Sequence, residues 1–155
     1  MRITVDASIV IKWFVLEPSS QESRLLLTRQ WELQSPDLLL PEFANTIWKK
    51  ARRGEIADPQ LFLNELRSLS VQIALHPSEV LIERASYLAF ELDHPVYDCL
   101  YLACAEVSGT PLVTADKRLI ARADESKLGL EVRNICTPST VRWIKDTPAE
   151  TGHQV

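Results

Sequence analysis

Four carboxylates stand at or near the boundaries of apolar segments. Asp6 comes after Ile3-Thr4-Val5, Glu42 shortly after Leu38-Leu39-Leu40, Asp98 near the start of the apolar run 96–105, and Asp116 just after Leu112-Val113-Thr114. Gathered in one place they would repel one another, because like charges in a shared site resist joint ionisation. A hard divalent cation such as Mg²⁺ resolves that conflict, since it takes oxygen ligands and needs only one or two protein carboxylates directly. The chemistry open to such a centre is attack of an activated water on a phosphate whose charge is neutralised. Each acid alone has a plainer reading. Asp6 and Asp116 suit helix N-caps, and Glu42 suits a first helical turn beside the positive end of the dipole. Asp98 resists that treatment, as the only charged side chain in VYDCLYLACA, where a buried charge is costly unless paired or metal-bound.

Neighbouring residues could support the acids. The hydroxyls of Ser8 and Thr114 could orient carboxylates from behind. Asn45 lies one helical turn after Glu42, on the same face, and could do likewise. The three histidines, His76, His94 and His153, show no metal-ligand spacing, which argues against a zinc site. Cys99, Cys104 and Cys136 lack C-x-x-C spacing and read as reduced core residues.

These acids need elements to carry them. The chain has 155 residues and ordinary globular composition, which fits one domain. No apolar run is long enough to span a bilayer, and strand-like residues from Ile3 leave no room for a leader, so a cytoplasmic location is expected. Strands are expected at 2–6, 71–75, 111–114 and 131–136. Helices are expected at 20–33, 41–53, 58–69, 78–92, 96–107 and 117–124, with a short one near 139–145. Leu38–Leu40 reads as a buried strand or part of a turn. Pro41 is placed at the first position of its helix and Gly54 just past its end. In 78–92 the apolar side is read as Val80, Ala85, Leu88 and Leu92. Repeated β–α alternation with 4 glycines and no hairpin signal predicts an α/β fold with a mainly parallel sheet. In such a sheet the strand ends and following helix starts share one edge, where ligands bind. All four acids map to that edge. The domain is expected to span 1–145, with 146–155 a polar, frayed tail.

The segments that carry the acids resemble a known family. VDAS at the N-terminus, PEFANTIWKKARRG at 41–54, PVYDCLYLACAE at 95–106 and LVTADKRL at 112–119 are together similar to PIN-domain ribonucleases, in particular the VapC toxins of toxin–antitoxin pairs. The resemblance runs over roughly residues 2–144. It implies a three-layer α/β/α sandwich around a five-stranded, mainly parallel sheet, usually assembled as a homodimer. Asp6, Glu42, Asp98 and Asp116 match the family's acidic quartet, with Asp6, Asp98 and Asp116 as ligands of Mg²⁺ or Mn²⁺. Ser8 and Thr114 match its small polar positions. In one departure, Asp93-His94 occupy a turn where a small residue is expected, and in another no further aspartate stands close behind Asp116.

An RNA substrate, a VapB-like antitoxin and a second copy of the chain are the partners implied. Lys12, Lys49, Lys50, Arg52, Arg53, Lys117 and Arg118 would lie near the acids and could meet an RNA backbone. On charge alone these basic clusters read equally well as solvated helix faces. The net charge of −4 does not exclude RNA, because setting aside the four site acids leaves 17 acidic against 17 basic residues. Trp13, Phe14, Ile47 and Trp48 could line a groove for a partner helix or be ordinary core. Phe62, Leu66 and Tyr87 could supply a dimer contact or pack internally. An aspartyl-phosphate enzyme with Asp6 as nucleophile is disfavoured, because its acid/base aspartate would fall at position 8, which is serine. A phosphoreceiver lacks its paired acids and late lysine. An RNA-processing nuclease and a PIN domain that only binds are the remaining alternatives.

Overall fold

The computed structural model describes residues 1–28 and 31–148. Its first strand, β1 (Arg2–Val5), buries Ile3, Thr4 and Val5 completely, the continuous burial of a central parallel strand. Next come α1 (Ala7–Phe14), α2 (Ser20–Arg24) with a 3₁₀ turn at Leu25–Thr28, β2 (Glu32–Pro36), α3 (Leu39–Arg52), α4 (Pro59–Gln72) and β3 (Ile73–His76). The second half comprises α5 (Ser78–Leu92), α6 (Val96–Ser108), β4 (Leu112–Thr114), α7 (Lys117–Glu125), β5 (Val132–Asn134) and α8 (Pro138–Asp146).

All five strands are parallel, in the order β3-β2-β1-β4-β5. Ile3 pairs with Leu33 on one side of β1, and Val5 with Val113 on the other. One core cluster joins α1, α3 and α4 to one face of the sheet through Ile9, Phe43, Ile47 and Leu69. The other joins α5 and α6 to the opposite face through Leu88, Leu100 and Cys104. This is the three-layer sandwich expected. The strand order reverses between β1 and β4, which opens a crevice at their C-terminal ends, where open α/β sheets bind ligands.

Several local expectations need correction. The helix predicted over 20–33 gives way at Leu25 to the 3₁₀ turn, and the second strand occupies 32–36; of the two readings of Leu38–Leu40, the turn holds for Leu38. Polar residues disguised that strand. Ser35 is fully buried and its hydroxyl donates to the Val5 carbonyl at 2.9 Å, while Gln34 Oε1 meets His76 Nε2 at 2.8 Å. Leu39 and Leu40 instead open α3, so Pro41 is its third residue, still within the turn whose N–H groups have no helical partner. The helix expected to end at 69 runs to Gln72 and delays β3 to Ile73. In α5 the buried stripe is Leu81, Ala85, Leu88 and Leu92, and Val80 is exposed. Cys99 and Cys104 are core, but Cys136 is exposed. The last helix reaches Asp146, and residues 149–155 of the expected tail lie outside the described residues. Among the described residues no helix is long and apolar enough to cross a membrane.

Candidate metal centre

The four acids reach one pocket, of about 340 Å³, at the C-terminal edge of the sheet. Asp6 ends β1 in an extended conformation and caps α1, its Oδ1 accepting the Ile9 N–H at 3.1 Å. The Ser8 hydroxyl donates to the same oxygen at 2.6 Å and accepts the Ala115 N–H at 3.0 Å. Thr114, the last residue of β4, donates to Asp6 Oδ2 and accepts the Asp116 N–H at 2.9 Å. Asp116 in turn caps α7, its Oδ1 accepting from Arg118 and Leu119 at 2.8 and 3.1 Å. The plain capping readings therefore hold for both aspartates, and the same caps aim them into the pocket. Glu42 comes from the first turn of α3 and Asp98 from the first turn of α6.

Their electrostatics are unfavourable without a cation. Burial pushes Asp6 up to about 6, against the hydrogen bonds of Ser8, Thr114 and Ile9, and the Asp116 charge adds to the rise. Burial also raises Glu42, opposed by the Tyr101 hydrogen bond and reinforced by Asp98. Asp98 is raised by burial, partly offset by His94, and raised further by Asp116. Three carboxyls are thus lifted above their ordinary range, with repulsion linking Asp6 to Asp116, Asp116 to Asp98 and Asp98 to Glu42. A divalent cation would relieve that repulsion, and an all-carboxylate donor set suits hard ions such as Mg²⁺ and Mn²⁺. The residues present fit such an ion.

The PIN domain family model matches residues 3–125. Ribonuclease VapC3 of Pyrobaculum aerophilum is 33% identical over 121 residues, covering 77% of this chain and 92% of that protein. The chain belongs to the PIN-domain family. Solved structures agree on the fold. PAE2754 from Pyrobaculum aerophilum superposes with a TM-score of 0.67 at 21% identity, covering 95% of this chain and 91% of that one. VapBC2 from Rickettsia felis, bound to a promoter DNA fragment, gives 0.59 at 13% identity, with coverage of 86% and 98%. A toxin–antitoxin complex from Klebsiella pneumoniae gives 0.57 at 15%, with 86% and 97% covered.

Other expected residues of this PIN domain divide. Asn45 lines the pocket, though no hydrogen bond joins it to an acid among the described residues. Lys49 also lines the pocket, and Lys117 and Arg118 are exposed at the start of α7. Lys12 and Lys50 are committed elsewhere. Both bind Glu17, at 3.0 and 2.5 Å, and Lys50 also binds Glu55 at 2.9 Å. Arg53 reaches Glu55 at 3.7 Å, and Arg52 lies 5.6 Å over the Trp48 ring.

Three pocket-side residues escaped the sequence reading. Glu17 is a fifth acid in the lining, and its distance in sequence from Lys50 hid the pairing. Tyr101, itself buried, donates its hydroxyl to Glu42 Oε2 at 2.5 Å. It lies three residues after Asp98, one helical turn on, a spacing that could have drawn notice. His94 approaches Asp98, and one ligand atom each from His94, Asp98 and Asp116 lie within 4.8 Å of one another. Its i,i+4 spacing to Asp98 was the available signal.

Of the two readings of the aromatic residues, the core reading holds for Trp13 and Ile47. Trp13 is core, with its indole N–H donating to the Ser23 carbonyl at 3.0 Å, and Ile47 is buried. Phe14 packs edge-on against Phe43, which leaves Trp48 as the exposed member of the four. Of the dimer candidates, Phe62 and Leu66 pack partly against the core and Tyr87 is exposed.

Proposed function

We propose that this PIN protein is a metal-dependent endoribonuclease toxin of the VapC kind, held in check by a VapB-like antitoxin. The observation that carries the reading is the convergence of Asp6, Glu42, Asp98 and Asp116 on one pocket. Similarity to Ribonuclease VapC3 supports the nuclease activity, and likeness in fold to toxin–antitoxin complexes is consistent with an antitoxin partner. A homodimer remains part of the proposal.

Asp6, Asp98 and Asp116 would hold Mg²⁺ or Mn²⁺, with Ser8 and Thr114 fixing the Asp6 oxygens. The bound cation supplies positive charge against the phosphate and makes a water more acidic. Glu42, with Oε2 tied to Tyr101, offers Oε1 to orient that water. Lys49, Lys117 and Arg118 take the flanking phosphates. The water gives up a proton as its oxygen bonds to phosphorus, the bond to the 3′-oxygen breaks, and that oxygen takes up a proton. One product carries a 5′-phosphate and the other a 3′-hydroxyl.

Cleavage of single-stranded RNA should stop in EDTA and resume with added Mg²⁺ or Mn²⁺. Asp98→Asn should abolish it while preserving the far-UV circular dichroism spectrum. Retained cleavage by folded Asp98→Asn, or 2′,3′-cyclic phosphate ends among the products, would rule the mechanism out.

A further inference from the structure

His94 stands behind the acidic pocket. Its N–H donates to the Ala89 carbonyl at 3.1 Å in the left-handed turn that ends α5, and its side chain is 2% exposed. Nε2 lies 3.0 Å from Asp98 Oδ2, a close contact short of a well-directed hydrogen bond, and Nδ1 has no hydrogen-bond partner. Buried imidazole nitrogens without well-formed hydrogen bonds are costly, and their retention here calls for an explanation. The neighbour within reach is Asp98, whose carboxylate faces the pocket while His94 does not line it. Nε2 is screened from solvent and meets the pocket at the Asp98 carboxylate.

We propose that His94 is a positioning residue for cation binding. Its Nε2 holds Asp98 Oδ2 and leaves Oδ1 as the oxygen Asp98 presents to the metal. The inference rests on the metal-centre reading and adds to it a residue from outside the acidic quartet. Partners that orient a metal-binding side chain from behind typically change affinity by about 10–100-fold when removed. A residue of that kind should be silent once the side chain it orients is gone.

The test is Mn²⁺ binding to the full chain, measured by calorimetry and by electron paramagnetic resonance without any RNA. His94→Leu should weaken binding by about tenfold or more. His94→Gln can place an amide N–H near the position of Nε2 and should bind within about threefold of wild type. His94→Asn has the same amide one methylene shorter and should bind as weakly as His94→Leu. In an Asp98→Ala background, His94→Leu should cost nothing further. Equal affinity of wild type and His94→Leu, or full additivity with Asp98→Ala, would overturn the assignment. So would nitrogen coupling to Mn²⁺ that disappears in His94→Leu, because His94 would then be a ligand itself. Should His94→Leu not fold, equal binding by the Gln and Asn variants would overturn it instead. Absence of Mn²⁺ binding by wild type would bring down the metal reading and this inference with it, whereas binding indifferent to His94 brings down the inference alone.

Discussion

Two charged clusters reach the same pocket and are built on opposite plans. Lys12 and Glu17 of the lining pair with each other and, through Glu17, with Lys50 and Glu55 beyond it, so every charge has a counter-charge from the chain. Across from them, Asp6, Glu42, Asp98 and Asp116 are like charges steadied by hydroxyls, backbone N–H groups and one imidazole. Burial pushes Glu17 up, but hydrogen bonds from Lys50 and Lys12 outweigh it and hold Glu17 below its ordinary value. Burial pushes Asp6 the same way and nothing outweighs it. The first cluster is complete as folded, whereas the repulsion within the second would be relieved by a cation supplied from outside.

The largest expected effect is at Asp6. Its folded-state value of about 6 exceeds the ordinary 3.8, so between those values the folded chain keeps a proton that the unfolded chain has lost. Stability of the metal-free protein should therefore fall as pH rises through that window. At neutral pH, Asp6→Asn should stabilise the metal-free protein by on the order of 2–3 kcal/mol in urea denaturation and abolish RNA cleavage. It should also flatten the pH slope, and saturating Mn²⁺ should flatten the wild-type slope by replacing the proton. A metal-free wild type that gains stability from pH 4 to 6 would contradict the contrast.

Glu17→Gln should move stability the other way. It removes the carboxylate shared by Lys12 and Lys50, side chains only 11% and 12% exposed. The expected cost is about 1–2 kcal/mol at neutral pH. Because the Glu17 value is lowered, its stabilisation is present above the ordinary 4.5 and is lost as pH falls through the folded value. A neutral or stabilising result would show that the paired cluster is not self-sufficient. The smallest effect belongs to Glu55→Gln, since Lys50 keeps Glu17 at 2.5 Å. Its melting temperature should match wild type within experimental error, and a drop equal to that of Glu17→Gln would place the centre of the network elsewhere.

The acids were legible because each stands at a junction the sequence marks. Asp6 and Asp116 close apolar strands and open helices, and Asp98 interrupts an apolar run. The fold class was legible for the same reason, since alternating strand and helix signals leave few ways to order a parallel sheet. Strand β2 was missed because Gln34 and Ser35 are polar residues satisfied across the sheet by His76 and Val5. Tyr101 was hidden by its apolar neighbours, and nothing in the sequence marks the indole bond to Ser23 that makes Trp13 core rather than a partner contact. The commitment of Lys12 and Lys50 to Glu17 depends on how α1 and α3 pack, and short-range spacing does not encode it.

Asp98 and Tyr101 are carried one turn apart on α6, and the Tyr101 hydroxyl tethers the Glu42 carboxylate to that same helix. Two of the four charges are thereby indexed to a single rigid rod. Glu42 belongs in sequence to the opposite layer of the sandwich, yet its carboxylate takes its position from α6 as well as from α3, so the spacing of these two charges is set across the sheet edge rather than within one layer.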